Sequence, residues 1–183
     1  MLSDKFGRIV IHNGFGVASK KEAHKFTKGE RAIMNSIGIQ AQLTNYPGAP
    51  LADGAVIPID KVVRKIGRQI CLKNGSIGTF ILCEPGMYLA NWNVSVAGTE
   101  SQPFVRIGFA VDGVVSGSGT AGAGVGEVTG SDIVNITKPT EVALVNYSGE
   151  TIQLCNITPI VGITIVRISN EQGRTNKCQF SCN

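Results

Sequence analysis

Residues 84–98, EPGMYLANWNVSVAG, constrain the fold of this chain more than any other stretch. Pro85-Gly86 is a turn signal, and the run behind it alternates. Tyr88, Ala90, Trp92, Val94 and Val96 fall on one face, and Met87, Leu89, Asn91, Asn93 and Ser95 on the other. A two-residue period is that of an extended chain, so a long strand with one apolar and one increasingly polar face is predicted. The single tryptophan lies on the apolar face, and an aromatic of that size marks it as a core face. Residues 103–111, PFVRIGFAV, repeat the pattern, with Val105, Ile107, Phe109 and Val111 inward and Arg106 outward. Two such strands in succession predict a β-protein.

The rest of the chain divides at about residue 54. Residues 1–54 read as a basic arm with little core of its own: a short strand over 7–12, weak helical spacing over 20–37, and the turn-rich link NYPGAPLADG at 45–54. From Ala55 the pattern is regular. Strands are expected at 56–65, 69–73, 76–82, 87–97, 103–111, 114–116, 132–137, 141–147, 151–156 and 160–169. Asn74-Gly75 and Asp112-Gly113 are tight-hairpin signals, because a type I′ turn needs positive φ at both central residues. The run IVGITIVRIS at 160–169 is nearly continuously apolar, as a central strand covered on both faces would be. Roughly eight to ten antiparallel strands at this spacing form a sandwich or jelly roll. Residues 170–183 are a polar tail ending KCQFSCN.

Composition limits the function classes. Charged residues are 16% and Gly is 23 of 183, which suits a β-fold with many turns, or a subunit that buries its outside against copies of itself. No apolar run is long enough to cross a membrane, and the N-terminus lacks the apolar core of a secretory signal. Residues 1–31 carry seven Lys/Arg against three Asp/Glu, equal to the whole net charge of +4. A second basic cluster is Lys61, Arg64, Lys65, Arg68 and Lys73. Solvated charge is the preferred reading of both; nucleic acid is not an expected partner, since few aromatics interleave with the cations.

Motifs for chemistry are weak. Gly117, Gly119 and Gly122 match the dinucleotide pattern GxGxxG, but AGVGEVTG behind them cannot make the required helix. A glycine loop between strands is expected there. His12 and His24 lie in the arm without a nucleophile pattern, and no paired-carboxylate motif occurs, so no enzyme, cofactor or metal site is expected. Asn-x-Ser/Thr occurs at Asn74, Asn93, Asn135, Asn146 and Asn156, read as chance rather than as glycan acceptors.

Of five cysteines, Cys71, Cys83 and Cys155 lie in strands and read as small buried hydrophobes. If Asn74-Gly75 sets the register, Cys71 faces Gly78 and no Cys71–Cys83 bond crosses the hairpin. Cys178 and Cys182 sit in the polar tail beside Lys177. A zinc site there would want two more ligands at defined spacing, and none adjoin. An odd cysteine count suggests pairing beyond the chain, so an inter-subunit disulfide is the preferred reading, with free thiols the alternative.

Residues 80–97, FILCEPGMYLANWNVSVA, resemble the F-x-x-P-x-x-G-x-Y strand pair of the tumour necrosis factor/complement-head jelly roll. GFAVDGVVSGSGTAGAGVGEVTGSDIVNI, EVALVNYSGETIQL and ITIVRIS resemble the bacterial branch of that superfamily. Those are the C-terminal domains of collagen-like BclA glycoproteins and the related exosporium basal-layer proteins of Bacillus and Clostridium spores. The resemblance spans about residues 55–169 and implies a trimer-forming jelly roll on a spore surface, without cofactor or catalysis. No Gly-X-Y stalk is present, and the arm and tail resemble the terminal connectors of spore-appendage subunits. The expectation is a self-assembling structural subunit of a spore-surface fibre or layer, made in the cytoplasm and cross-linked outside. Its partners would be its own copies and other spore-surface proteins, its arm adding a strand to a neighbour and Cys178 and Cys182 locking the contact. The alternative is a trimeric adhesin or phage-type receptor-binding head that uses the 117–130 loop.

Overall fold

A computed structural model describes residues 37–98, 104–122, 126–156 and 159–170. They belong to the larger of the chain's two units, Asn35–Asn183. The expected strand over 7–12, the helical spacing over 20–36, His12, His24, Cys178 and Cys182 lie outside the described residues.

The described chain is all β: β1 (Gly38–Leu43), β2 (Lys61–Ile66), β3 (Ile70–Leu72), β4 (Thr79–Leu82), β5 (Gly86–Gly98), β6 (Phe104–Val111), β7 (Val114–Gly122), β8 (Gly126–Ile136), β9 (Thr140–Asn146), β10 (Gln153–Leu154) and β11 (Val161–Asn170). They form two antiparallel sheets. In the larger, β5 pairs with β8, β11 and the short β10, and β11 leads on to β1 and then β2. The smaller runs β3-β4-β9-β6-β7. Neighbours are mostly not consecutive, so the chain crosses repeatedly between sheets, as a jelly roll requires.

The alternation in β5 has the expected consequence. Tyr88, Ala90, Trp92, Val94 and Val96 are all buried, and they meet Val105, Ile107 and Phe109 of β6 across the sandwich. Segment 51–57 is stitched to the β9 end by Asn146, which is fully buried. Its amide donates to Leu51 O at 2.9 Å and to Glu150 O at 2.7 Å, and accepts from Ser148 N at 3.1 Å.

Five sequence expectations need revision. The sandwich begins upstream of residue 55: β1, GIQAQL, sits between β11 and β2 with Ile39, Ala41 and Leu43 buried. Its short apolar/amide alternation is hidden beside a turn-rich link. The strand expected over 56–65 begins only at Lys61; Val56 makes an isolated bridge to Val145. Residues 117–122 and 126–130, expected in a glycine loop, instead lie in β7 and β8. Strand β11 is central, yet only one face is buried, with Val166 half-exposed and Ile168 exposed. Finally, the cysteine readings change: Cys71 faces Ile81, not Gly78, Cys71 and Cys83 are disulfide-bonded rather than inert buried hydrophobes, and Cys155 is a half-buried free thiol just after β10. The β3–β4 turn has positive φ at Gly75 but not at Asn74, so it is not a two-residue type I′ hairpin; Lys73 N bonds to Thr79 O instead. At Asp112-Gly113 both φ angles are positive (48° and 81°), and Val111 pairs with Val114 as expected.

Candidate functional site: the outer face of the larger sheet

Cross-strand partners share a face, so the registers of β8, β5, β11, β1 and β2 define rows running across the outside of the larger sheet. One row is Ile133–Leu89–Val166–Gly38–Ile66. It is apolar from end to end, and its outer members are open to solvent: Ile133 is 64% exposed and Ile66 50%. Met87 lies beside it on β5 and Ile168 near it on β11, both exposed. The next row, Ser131–Asn91–Thr164–Gln40–Arg64, is polar. So is the one after, Thr129–Asn93–Gly162–Gln42–Lys61.

The polar rows line an open depression whose walls include Gln40, Gln42, Asn91, Asn93 and Thr164. Its floor is low because Gly162 has no side chain; a Cβ there would stand 2.5 Å from Asn93 Oδ1. Asn93 donates from Nδ2 to Glu127 Oε1 at 2.6 Å, which fixes its amide. Amides and a hydroxyl can hydrogen-bond a partner. Among the described residues no cluster of three His, Cys, Asp or Glu could hold a metal.

At the Gly86 end the face is held by a polar knot. Arg167 Nη1 donates to Glu84 Oε2 at 2.5 Å and Nη2 donates to Pro85 O. Tyr88 donates its hydroxyl to Glu84 O at 2.7 Å. Burial pushes the Tyr88 phenol above its ordinary value, while the Arg167 charge pulls it down.

The basic cluster does not form one patch. Lys61 and Arg64 lie on β2, a strand exposed along its whole length, whereas Lys73 pairs with Glu141 at 2.6 Å on the other sheet. Charges on an edge strand discourage edge-to-edge pairing. The glycines of β7 and β8 serve packing. A Cβ at Gly130 would stand 2.1 Å from Trp92 Cζ2, and one at Gly119 2.3 Å from Thr129 O and 2.8 Å from Trp92 Cη2. The indole, its Nε1 donating to Asp132 Oδ2 at 3.0 Å, occupies the room they leave. The apolar row itself escaped sequence reasoning, because its five residues come from five strands and only the registers bring them together.

No protein-family profile matches the chain, and no curated protein does. Solved structures do. Eiger TNF from S. frugiperda superposes with TM-score 0.60 at 12% identity, over 78% of this chain and 99% of that one. Murine APRIL gives 0.57 at 9%, over 73% and 99%. The globular domain of zebrafish complement 1qA gives 0.52 at 11%, over 75% and 99%. The chain is therefore folded as the jelly roll of tumour necrosis factor ligands and the complement C1q head.

Proposed function

We propose that the chain is a non-catalytic head module that works as a homotrimer, its copies packed through the outer face of the larger sheet. The observation that carries this reading is the apolar row Ile133–Leu89–Val166–Gly38–Ile66 on an otherwise polar face. Exposed apolar surface that is contiguous and rimmed by polar groups marks an interaction site, whereas scattered single residues do not. The trimeric arrangement implied by the family resemblance gives such a face an occupant. Ile133→Glu and Ile66→Glu test it. Both side chains are solvent-exposed in the single chain, so the substitutions spare the core and place a charge at the contact. Sedimentation velocity is expected to show dissociation with an unchanged far-UV spectrum; an undisturbed oligomer would send the interface elsewhere.

The finer form of the proposal makes the module a self-assembling subunit of a bacterial spore-surface fibre or layer. Its supports are the segment resemblance and the odd number of cysteines. In that form Cys178 and Cys182 link neighbouring copies, and a denaturing gel without reductant shows a ladder that collapses when reductant is added. A ligand-binding trimeric head gives discrete particles and no ladder.

A further inference from the structure

The outer face of the smaller sheet carries an arginine held between two aromatic rings. Val105 and Ile107 of β6 are buried in the sandwich, so alternation turns Arg106 outward. Its guanidinium carbon stands 5.2 Å from the ring centroid of Phe104 and 5.8 Å from that of Tyr147. Both distances lie within the range of cation–π attraction. The backbone beneath is clamped by Ser148, itself buried, whose hydroxyl accepts from Arg106 N at 2.9 Å and donates to Arg106 O at 3.1 Å. Tyr147 N donates to the same carbonyl at 2.9 Å.

Among the described residues this guanidinium has no carboxylate partner; the ion pairs there are Lys73–Glu141 and Arg167–Glu84. Arg167 makes the contrast. Its terminal nitrogens are bonded to Glu84 and Pro85 and hold a turn, whereas Arg106 is positioned by rings that use none of its five donors. Hydroxyls adjoin it. Thr120 of β7 stands directly opposite Arg106, and Ser118 opposite Gly108 on the same face, both exposed. The Tyr147 side chain is 46% exposed.

We propose that Arg106, Tyr147 and Thr120 form a binding site for an acidic saccharide, one whose sugar ring carries a carboxylate. The carboxylate meets the guanidinium edge in a charge-assisted pair. The C–H face of the sugar lies on the exposed side of Tyr147, and its hydroxyls reach Thr120 and Ser118. An acidic peptide is the poorer occupant, because an extended chain needs a free strand edge to satisfy its own N–H and C=O groups. β6 is already paired on both sides, to β7 and β9. The site goes beyond the trimer reading and does not rest on it. It lies on the side of the sandwich opposite the apolar row, so packing through that row leaves it open.

The test is isothermal titration of the full chain with tetragalacturonate, neutral maltotetraose and tetraglutamate. Tetragalacturonate is expected to bind, more weakly as salt is added, and the other two are not. Arg106→Lys keeps the charge but loses the planar fork, and is expected to weaken binding about tenfold or more. Tyr147→Ala is expected to weaken it comparably; its side chain is outside the core, so it decides the matter if the Arg106 variant does not fold. No binding of tetragalacturonate, or unchanged affinity in the folded variants, would overturn the proposal. Equal binding of maltotetraose would remove the carboxylate from it, and equal binding of tetraglutamate would reduce the site to one for any anion; either result overturns it. Tyr147→Ala is expected to leave the molar mass of the assembly unchanged, so this site and the trimer reading stand or fall separately.

Discussion

Trp92 and its glycines show how a single side chain sets the composition of two strands. Glycine is most often read as a turn residue because it accepts positive φ, but it also permits close approach where a Cβ would collide. Gly119 and Gly130 are of the second kind, and their sequence context gives no hint of it, because the partner indole lies far off in the chain. Gly130→Ala is therefore expected to lower unfolding stability by about 1–3 kcal/mol, read by urea denaturation. A neutral result would mean the ring has room to move. Asn146 makes the complementary case. It stands in an Asn-x-Ser pattern but is fully buried, so no glycan can be attached to the folded chain there. Asn146→Ala removes the donor to Glu150 O and the acceptor of Ser148 N, while Leu51 O keeps its bond from Ile152 N, and a loss of about 1–3 kcal/mol is expected. An unchanged midpoint would show that other groups tie down segment 51–57.

Strand existence was legible wherever alternation was long, as in β5 and β6, and wherever the turn chemistry was complete, as at Asp112-Gly113. It failed where the signal was shared. β1 has six residues, four of them small or amide, and only its neighbours β11 and β2 make it a strand. The β3–β4 register failed because Asn74 does not take the positive φ that the dipeptide favours. The β4–β5 turn carries its own prediction. Tyr88 is buried there with its phenol raised above the unfolded 10.0. Above pH 10 the unfolded chain ionises first, so this contribution is complete below pH 10 and is lost as pH rises through the folded value. Tyr88→Phe should flatten part of the alkaline fall in stability, followed by denaturant midpoints from pH 9 upward. Equal slopes in both proteins would remove Tyr88 from the account.

For the whole molecule, a sandwich or jelly roll was readable from strand count, turn spacing and the β5 face, and the family resemblance narrowed it to the jelly roll. The interaction face was not, because a row across five strands has no linear pattern. The central claim is that this row is covered by other copies of the chain. Beyond the two charge substitutions, Val166→Asp is expected to weaken association, read as a rise in the concentration at which the oligomer dissociates. A change in thermal stability with no effect on that concentration would make Val166 a packing residue only. The most direct measurement is the molar mass of the wild-type protein by light scattering over a wide concentration range. The account predicts a plateau at three times the 19.3 kDa chain, persisting in reductant because the contact through the apolar row is noncovalent. A mass of one chain at every concentration would contradict it.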